Sequence, residues 1–186
     1  MKKLNAQNNL ENYNEINEKE ILANGYFKIQ LYQKSVTIYD QILPFTKIDK
    51  EFLLQRKKAK ALFNQDLKEE SINLLKSVLK KEEIHHHQMA AIEIWKLLST
   101  FLNEFCEYEK ALKSLKKGWS ILMEEKDRIN DEKIVDFCNN LGLLAIKNEK
   151  YNDSLEYLDN ALKIEENMKE RNPLQIGFFL FVLFHF

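Results

Sequence analysis

Residues 22–43 read LANGYFKIQLYQKSVTIYDQIL, and two helical stripes run through them. Ile21, Leu22, Tyr26 and Ile29 fall on one helical face, and Val36, Tyr39, Ile42 and Leu43 on the next. Side chains three and four apart stack on one side of a helix, so each set is a stripe that wants a neighbour. Pro44 ends the second helix, because proline lacks the amide and restricts the residue before it. The stretch is therefore a helix, a short polar link and a second helix.

The same arrangement returns three times. Residues 59–79, AKALFNQDLKEESINLLKSVL, carry it again. A third copy runs from Trp95 through Leu98, Leu102, Tyr108, Ala111 and Leu115 to Trp119, and a fourth fills 141–162, LGLLAIKNEKYNDSLEYLDNAL. Aligned on a small residue of the second helix, the anchors Ser35, Ser71, Ala111 and Ser154 lie 36, 40 and 43 residues apart. Self-similarity at a period of roughly 20–50 residues marks stacked repeats. The growing interval predicts longer second helices in the later units, with 127–131 as the turn after one of them. The expected units are 16–49, 52–85, 92–125 and 135–168, inside a repeat domain of 15–170.

Composition fits long helices with short joints. The chain has 4 Gly and 2 Pro among 186 residues, 45% hydrophobic and 31% charged, which leaves little for tight hairpins or phosphate-cradling loops. A net charge of −1 creates no field toward nucleic acid or an anionic membrane. Cys106 and Cys138 have no ligand or disulfide spacing and read as buried free thiols of a reducing compartment. Two lysines at the start lack an apolar stretch behind them, so no secretory signal is expected and the cytoplasm is the default. Residues 1–14 are Asn-rich and polar, with nothing to bury, and are expected to be disordered.

The four copies resemble the tetratricopeptide repeat, W-x2-L-G-x2-Y…A-x3-F…P. Ala23, Ala59, Ser99 and Gly142 align with its glycine, and Ser35, Ser71, Ala111 and Ser154 with its alanine. Leu22, Leu98 and Leu141 supply its leucine. Tyr39, Leu75, Leu115 and Leu158 occupy its aromatic place, and Tyr32, Tyr108 and Tyr151 open the second helix. Trp95 alone stands at the tryptophan site, with Cys138 there in the fourth unit. The second unit departs most, with Lys58 and Lys68 at two places that are usually apolar. The resemblance implies an all-α, right-handed superhelix of stacked antiparallel helical hairpins. The longer units and 139–141 also have the style of kinesin light chain repeats.

By that resemblance, a partner segment would lie along the first helices, in a concave groove. The groove residues so implied are Asn24, Phe27 and Lys28, then Arg56, Lys60 and Asn64, then Lys96 and Asn103, then Asn139 and Lys147. Amides, charges and a few apolar residues suit a peptide, since an asparagine side chain both donates and accepts. Some relatives hold a chaperone's C-terminal carboxylate in a clamp. Of the clamp places only Asn24 matches; Glu20, Lys57, Glu93 and Leu97 stand where lysine, asparagine, lysine and arginine are expected, and the acidic pair would repel a carboxylate.

Three further features offer less than they promise. The basic run 56–60 reads either as a solvated helix face or as a contact for an acidic peptide. His85, His86 and His87 point about 100° apart on a helix, so three in a row cannot share one tetrahedral site; a linker or helix start fits them better. No phosphate loop, HExxH or nucleophile elbow occurs, so neither a cofactor nor catalysis is expected. Residues 174–186, LQIGFFLFVLFHF, break abruptly from the charged repeats. The segment 171–186 reads as an incomplete fifth repeat, too short for the roughly 20 residues of a membrane span. An apolar end of this kind could also support self-association. The expected function is therefore a protein-binding adaptor or scaffold. The alternative is a structural subunit that docks through its apolar C-terminal segment.

Overall fold

The computed structural model describes residues 2–168; the apolar segment 171–186 lies outside them. Among the described residues there are eight α-helices and no strand. They are α1 (Lys2–Lys28), α2 (Tyr32–Ile42), α3 (Ile48–Asn64), α4 (Lys68–Val78), α5 (Gln88–Glu104), α6 (Tyr108–Glu124), α7 (Asp131–Lys147) and α8 (Tyr151–Asn167). The chain divides into two compact units between Ala90 and Ala91. In the first, α1 packs on α2, α2 on α3 and α3 on α4. In the second, α6 packs on α7 and α7 on α8.

One element is constant. Helices α3, α5 and α7 each have 17 residues, and the next helix always starts 20 residues after they do. The changing interval arises after the hairpin. Helices α2 and α4 have 11 residues, whereas α6 and α8 have 17. The expected lengthening is thus found in α6 but not in α4. There, a link holding the 3-10 turn Glu82–His86 supplies the extra residues.

The three-residue joint inside each hairpin is the same every time. Gln30, Asp66, Cys106 and Glu149 all have φ between 58° and 68°. The following residue then reaches back five places. Leu31 N–H donates to Tyr26 C=O at 2.9 Å, Leu67 to Leu62 at 3.1 Å, Glu107 to Leu102 at 3.0 Å and Lys150 to Ala145 at 2.9 Å. This is the Schellman closure, which usually recruits glycine for its left-handed residue. Here four other residue types accept that conformation, at a cost of about 1–2 kcal/mol each.

Small residues then let the two helices of a hairpin close up. Ala23, Ala59, Ser35, Ser71 and Ala111 are fully buried, and Ser99 and Ser154 nearly so. Two of the serines donate across the crossing, Ser71 Oγ to Ala59 C=O and Ser99 Oγ to Ala111 C=O, both at 2.8 Å. A β-carbon on Gly142 would sit 2.7 Å from Cγ and Cδ2 of Leu158, which is itself fully buried. The aromatic-place residues Tyr39, Leu75, Leu115 and Leu158 all lie in the core.

Several expectations are corrected. Leu22 is 49% exposed, whereas its counterparts Leu98 and Leu141 are 2% and 0% exposed. Cys106 is exposed at its turn, and only Cys138 is buried; burial pushes the Cys138 thiol up to about 12. The two awkward lysines of the second hairpin find partners. Lys58 pairs with Asp40 of α2 at 2.6 Å, and Lys68 reaches Asp66 at 3.2 Å and lies over the Phe63 ring.

Candidate partner-binding groove

In the second unit, the first helices of successive hairpins, α5 and α7, lie side by side. Asn130 fixes the start of α7 by accepting from Lys133 N–H at 3.3 Å, which satisfies one orphan amide of the helix N-terminus. From there α7 presents Asn140, Leu143, Leu144 and Lys147 to α5, at the three- and four-residue spacing of one face. From α5 come Lys96, Ser99, Thr100 and Asn103. These residues, with Leu115 of α6 beneath, line a cavity of about 180 Å³.

Polar bonds tie its two walls together. Lys96 forms an ion pair with Asp136 of α7. Lys147 Nζ donates to Asn103 Oδ1 at 2.8 Å. Within α7, Asn140 Nδ2 donates to the carbonyl of Asp136 at 2.6 Å and to its carboxylate at 3.1 Å, which steadies that wall. Below them, Lys133 pairs with Glu93 at 2.5 Å. Each cavity lysine also lies against a ring, Lys96 5.8 Å from the centre of Phe137 and Lys147 5.1 Å from that of Tyr108. Such contacts position an ammonium while leaving its head wet.

The first unit uses its charges in the same way. Glu20 of α1 binds Lys50 and Lys57 of α3, both at 2.7 Å. Burial by itself would raise the Glu20 carboxyl. The hydrogen bonds and charges of the two lysines outweigh it and hold the group below the usual carboxylate value. Lys57 and Lys58 of the basic run are therefore paired, and Arg56 and Lys60 are engaged as well.

The residues implied by resemblance thus separate into four groups. Lys96, Asn103 and Lys147 meet in one cavity. Lys28, Lys60 and Asn64 are exposed along α1 and α3, with Arg56 partly covered. Asn24 and Phe27 turn inward. Asn24 Oδ1 accepts from Tyr39 Oη at 2.9 Å, and Phe27 packs edge-on to Tyr32, against the cluster of Val36, Ala61 and Leu62. Asn139 neighbours the cavity residue Asn140 on α7 but does not line the cavity; its Oδ1 is buried without a hydrogen-bond partner. Asn140 and Leu144 were not placed in the groove from the sequence, and Ser99 was read there only as a small residue of the hairpin crossing, although a stripe drawn on α7 from Lys147 back by three and seven passes through Leu144 and Asn140. The histidine tract lies at the 3-10 turn Glu82–His86 and just after it, and no cluster of metal-ligating side chains occurs among the described residues.

No protein-family model and no curated protein matches the sequence. Solved structures do. The nearly identical TPR-like repeats assigned to a kinesin light chain of Podosopora anserina superpose with a TM-score of 0.71 at 13% identity, over 91% of this chain and 87% of that one. The chain has the tetratricopeptide-like repeat fold. The apo form of RapI gives a TM-score of 0.73 at 18% identity, over 91% of this chain and 61% of RapI. MamA from Desulfovibrio magneticus RS-1 gives 0.61 at 14% identity, over 83% and 78%. At such identities the TPR-like likeness concerns the fold. No helix among the described residues is long and apolar enough to cross a membrane.

Proposed function

We propose that this chain is a protein-binding module, an adaptor or scaffold, that holds a peptide segment of its partner on the exposed face of its first helices. The observation that carries this reading is the α5–α7 cavity, where Lys96, Thr100, Asn103, Asn140 and Lys147 surround a floor of Leu115 and Leu144. Apolar floor and amide walls suit a polypeptide, which brings both a side chain to bury and a backbone to hydrogen-bond. The reading assigns the module no catalytic step, no cofactor and no nucleic-acid ligand, and places it in the cytoplasm.

Affinity capture from native lysate tests it, comparing wild type with a Lys96→Ala, Asn103→Ala, Lys147→Ala triple variant. Circular dichroism checks that both are equally helical. The expected result is loss of specific partners from the triple variant. An unchanged partner set contradicts the reading.

A further inference from the structure

The charge of the α5–α7 cavity says more than that a peptide binds there. Its lining contains two ammonium groups, Lys96 and Lys147, and no carboxylate. The carboxylates nearby are already committed, Glu93 to Lys133 and Asp136 to Lys96. Of these, Asp136 competes directly, because it occupies the ammonium that an incoming anion would use. We propose that the cavity takes an extended acidic peptide, with one carboxylate on Lys96 and another on Lys147, and that Asp136 is a built-in competitor for the first. The inference rests on the peptide-binding reading above and gives it a ligand class.

The geometry sets the spacing. Lys96 stands seven residues before Asn103 on α5, about 10 Å along the helix, and Lys147 is bonded to Asn103. An extended chain advances about 3.3 Å per residue, so the two carboxylates belong about three residues apart. Between them, Asn103 uses only its oxygen toward Lys147, so its amide nitrogen can donate to a peptide carbonyl. Asn140 uses only its nitrogen toward Asp136, so its oxygen can accept from a peptide N–H. Each lysine has three donors and can serve its present partner while it turns toward the ligand. These residues differ from the clamp places Glu20, Asn24, Lys57, Glu93 and Leu97, so the arrangement does not depend on that clamp.

Fluorescence anisotropy tests the inference with a short fluorescein-labelled alanine–glycine peptide carrying two aspartates about three residues apart. The controls are the same peptide with asparagines and with lysines. The aspartate peptide is expected to bind about tenfold more tightly than the asparagine one and to weaken as salt rises. Lys96→Ala and Lys147→Ala should each weaken it several-fold. Asp136→Asn should tighten it several-fold, a gain that loss of folding cannot produce. Equal binding of the aspartate and asparagine peptides, both abolished by Leu143→Arg, overturns the acidic preference and leaves the groove reading standing. Preference for the lysine peptide, or weaker binding in Asp136→Asn, overturns the inference. Binding of none of the three peptides overturns it as well, and the lysate capture then decides the groove reading by itself.

Discussion

Helices α1 and α7 are the same sequence idea in two settings. Both place a leucine before a small residue at the hairpin crossing, Leu22-Ala23 and Leu141-Gly142. Ala23 and Leu141 are both fully buried, yet Leu22 is 49% exposed, and Ile21 and Ile29 beside it are 71% and 64% exposed. The difference comes from what lies on the far side. Helix α7 has α6 packed on it, with Gly118 allowing the close approach of Phe137: a β-carbon there would be 3.2 Å from the ring. No described helix lies on the corresponding face of α1. The hairpin crossing is thus a local property, while burial of the outer stripe depends on the neighbouring repeat.

The largest effect should follow from removing the leucine on each side. Leu141→Ala is expected to cost about 2–5 kcal/mol, because the cavity has nowhere to collapse. Leu22→Ala should cost under about 1 kcal/mol. Urea denaturation monitored by circular dichroism reads the difference as a shift in midpoint; equal shifts would break the comparison. Glycine makes the next contrast. Gly142→Val drives a side chain into Leu158 and should cost about 1–3 kcal/mol by overpacking. A β-carbon on Gly25 of α1 meets nothing within 4 Å, so Gly25→Ala should stabilise by about 1 kcal/mol through helix propensity alone.

The joints should behave alike at both ends, which sharpens the distinction between hairpin and neighbour. Gln30→Gly and Glu149→Gly each relieve a left-handed residue. The greater freedom of glycine in the unfolded chain offsets part of that gain. A stabilisation of up to about 1 kcal/mol is expected in both, and a gain in one alone would show that the joints are not equivalent. The smallest effect concerns acid. Glu20 has a lowered carboxyl value in the folded chain, so folding favours its charged form. Its contribution is present above the ordinary carboxylate value and is lost as pH falls through the lowered one. Glu20→Gln should therefore lower the neutral plateau slightly and flatten the acid limb of stability against pH, and an unchanged acid limb in pH-dependent urea melts would contradict this.

Much of the hairpin was legible in the sequence, because small residues and apolar stripes are local signals. Ser71 and Ala111 could be placed at helix crossings by their alignment with the small residue of the resembled repeat, and Pro44 marked the end of α2. What depends on a neighbour was not legible. Leu22 and Leu141 look identical until α6 is seen on one of them. Phe27 falls on the groove side by alignment, yet turns to Tyr32 because an aromatic ring finds apolar company more cheaply than water. The left-handed joints stayed hidden because Gln30, Asp66, Cys106 and Glu149 are not glycines. In the groove, Lys96, Asn103 and Lys147 were implied by resemblance. That Asp136 holds Lys96, and that Asn140 completes the wall, required α5 and α7 to be seen side by side.

Photo-crosslinking puts the central claim at most risk. A benzophenone side chain would replace Leu143, at the mouth of the α5–α7 cavity, or Leu22, on the uncovered face of α1, and each chain would be irradiated with native lysate. A specific partner trapped from position 143 and not from position 22 is the predicted result. The same partner trapped from position 22 alone would make the open face of α1 the docking surface and contradict the groove account.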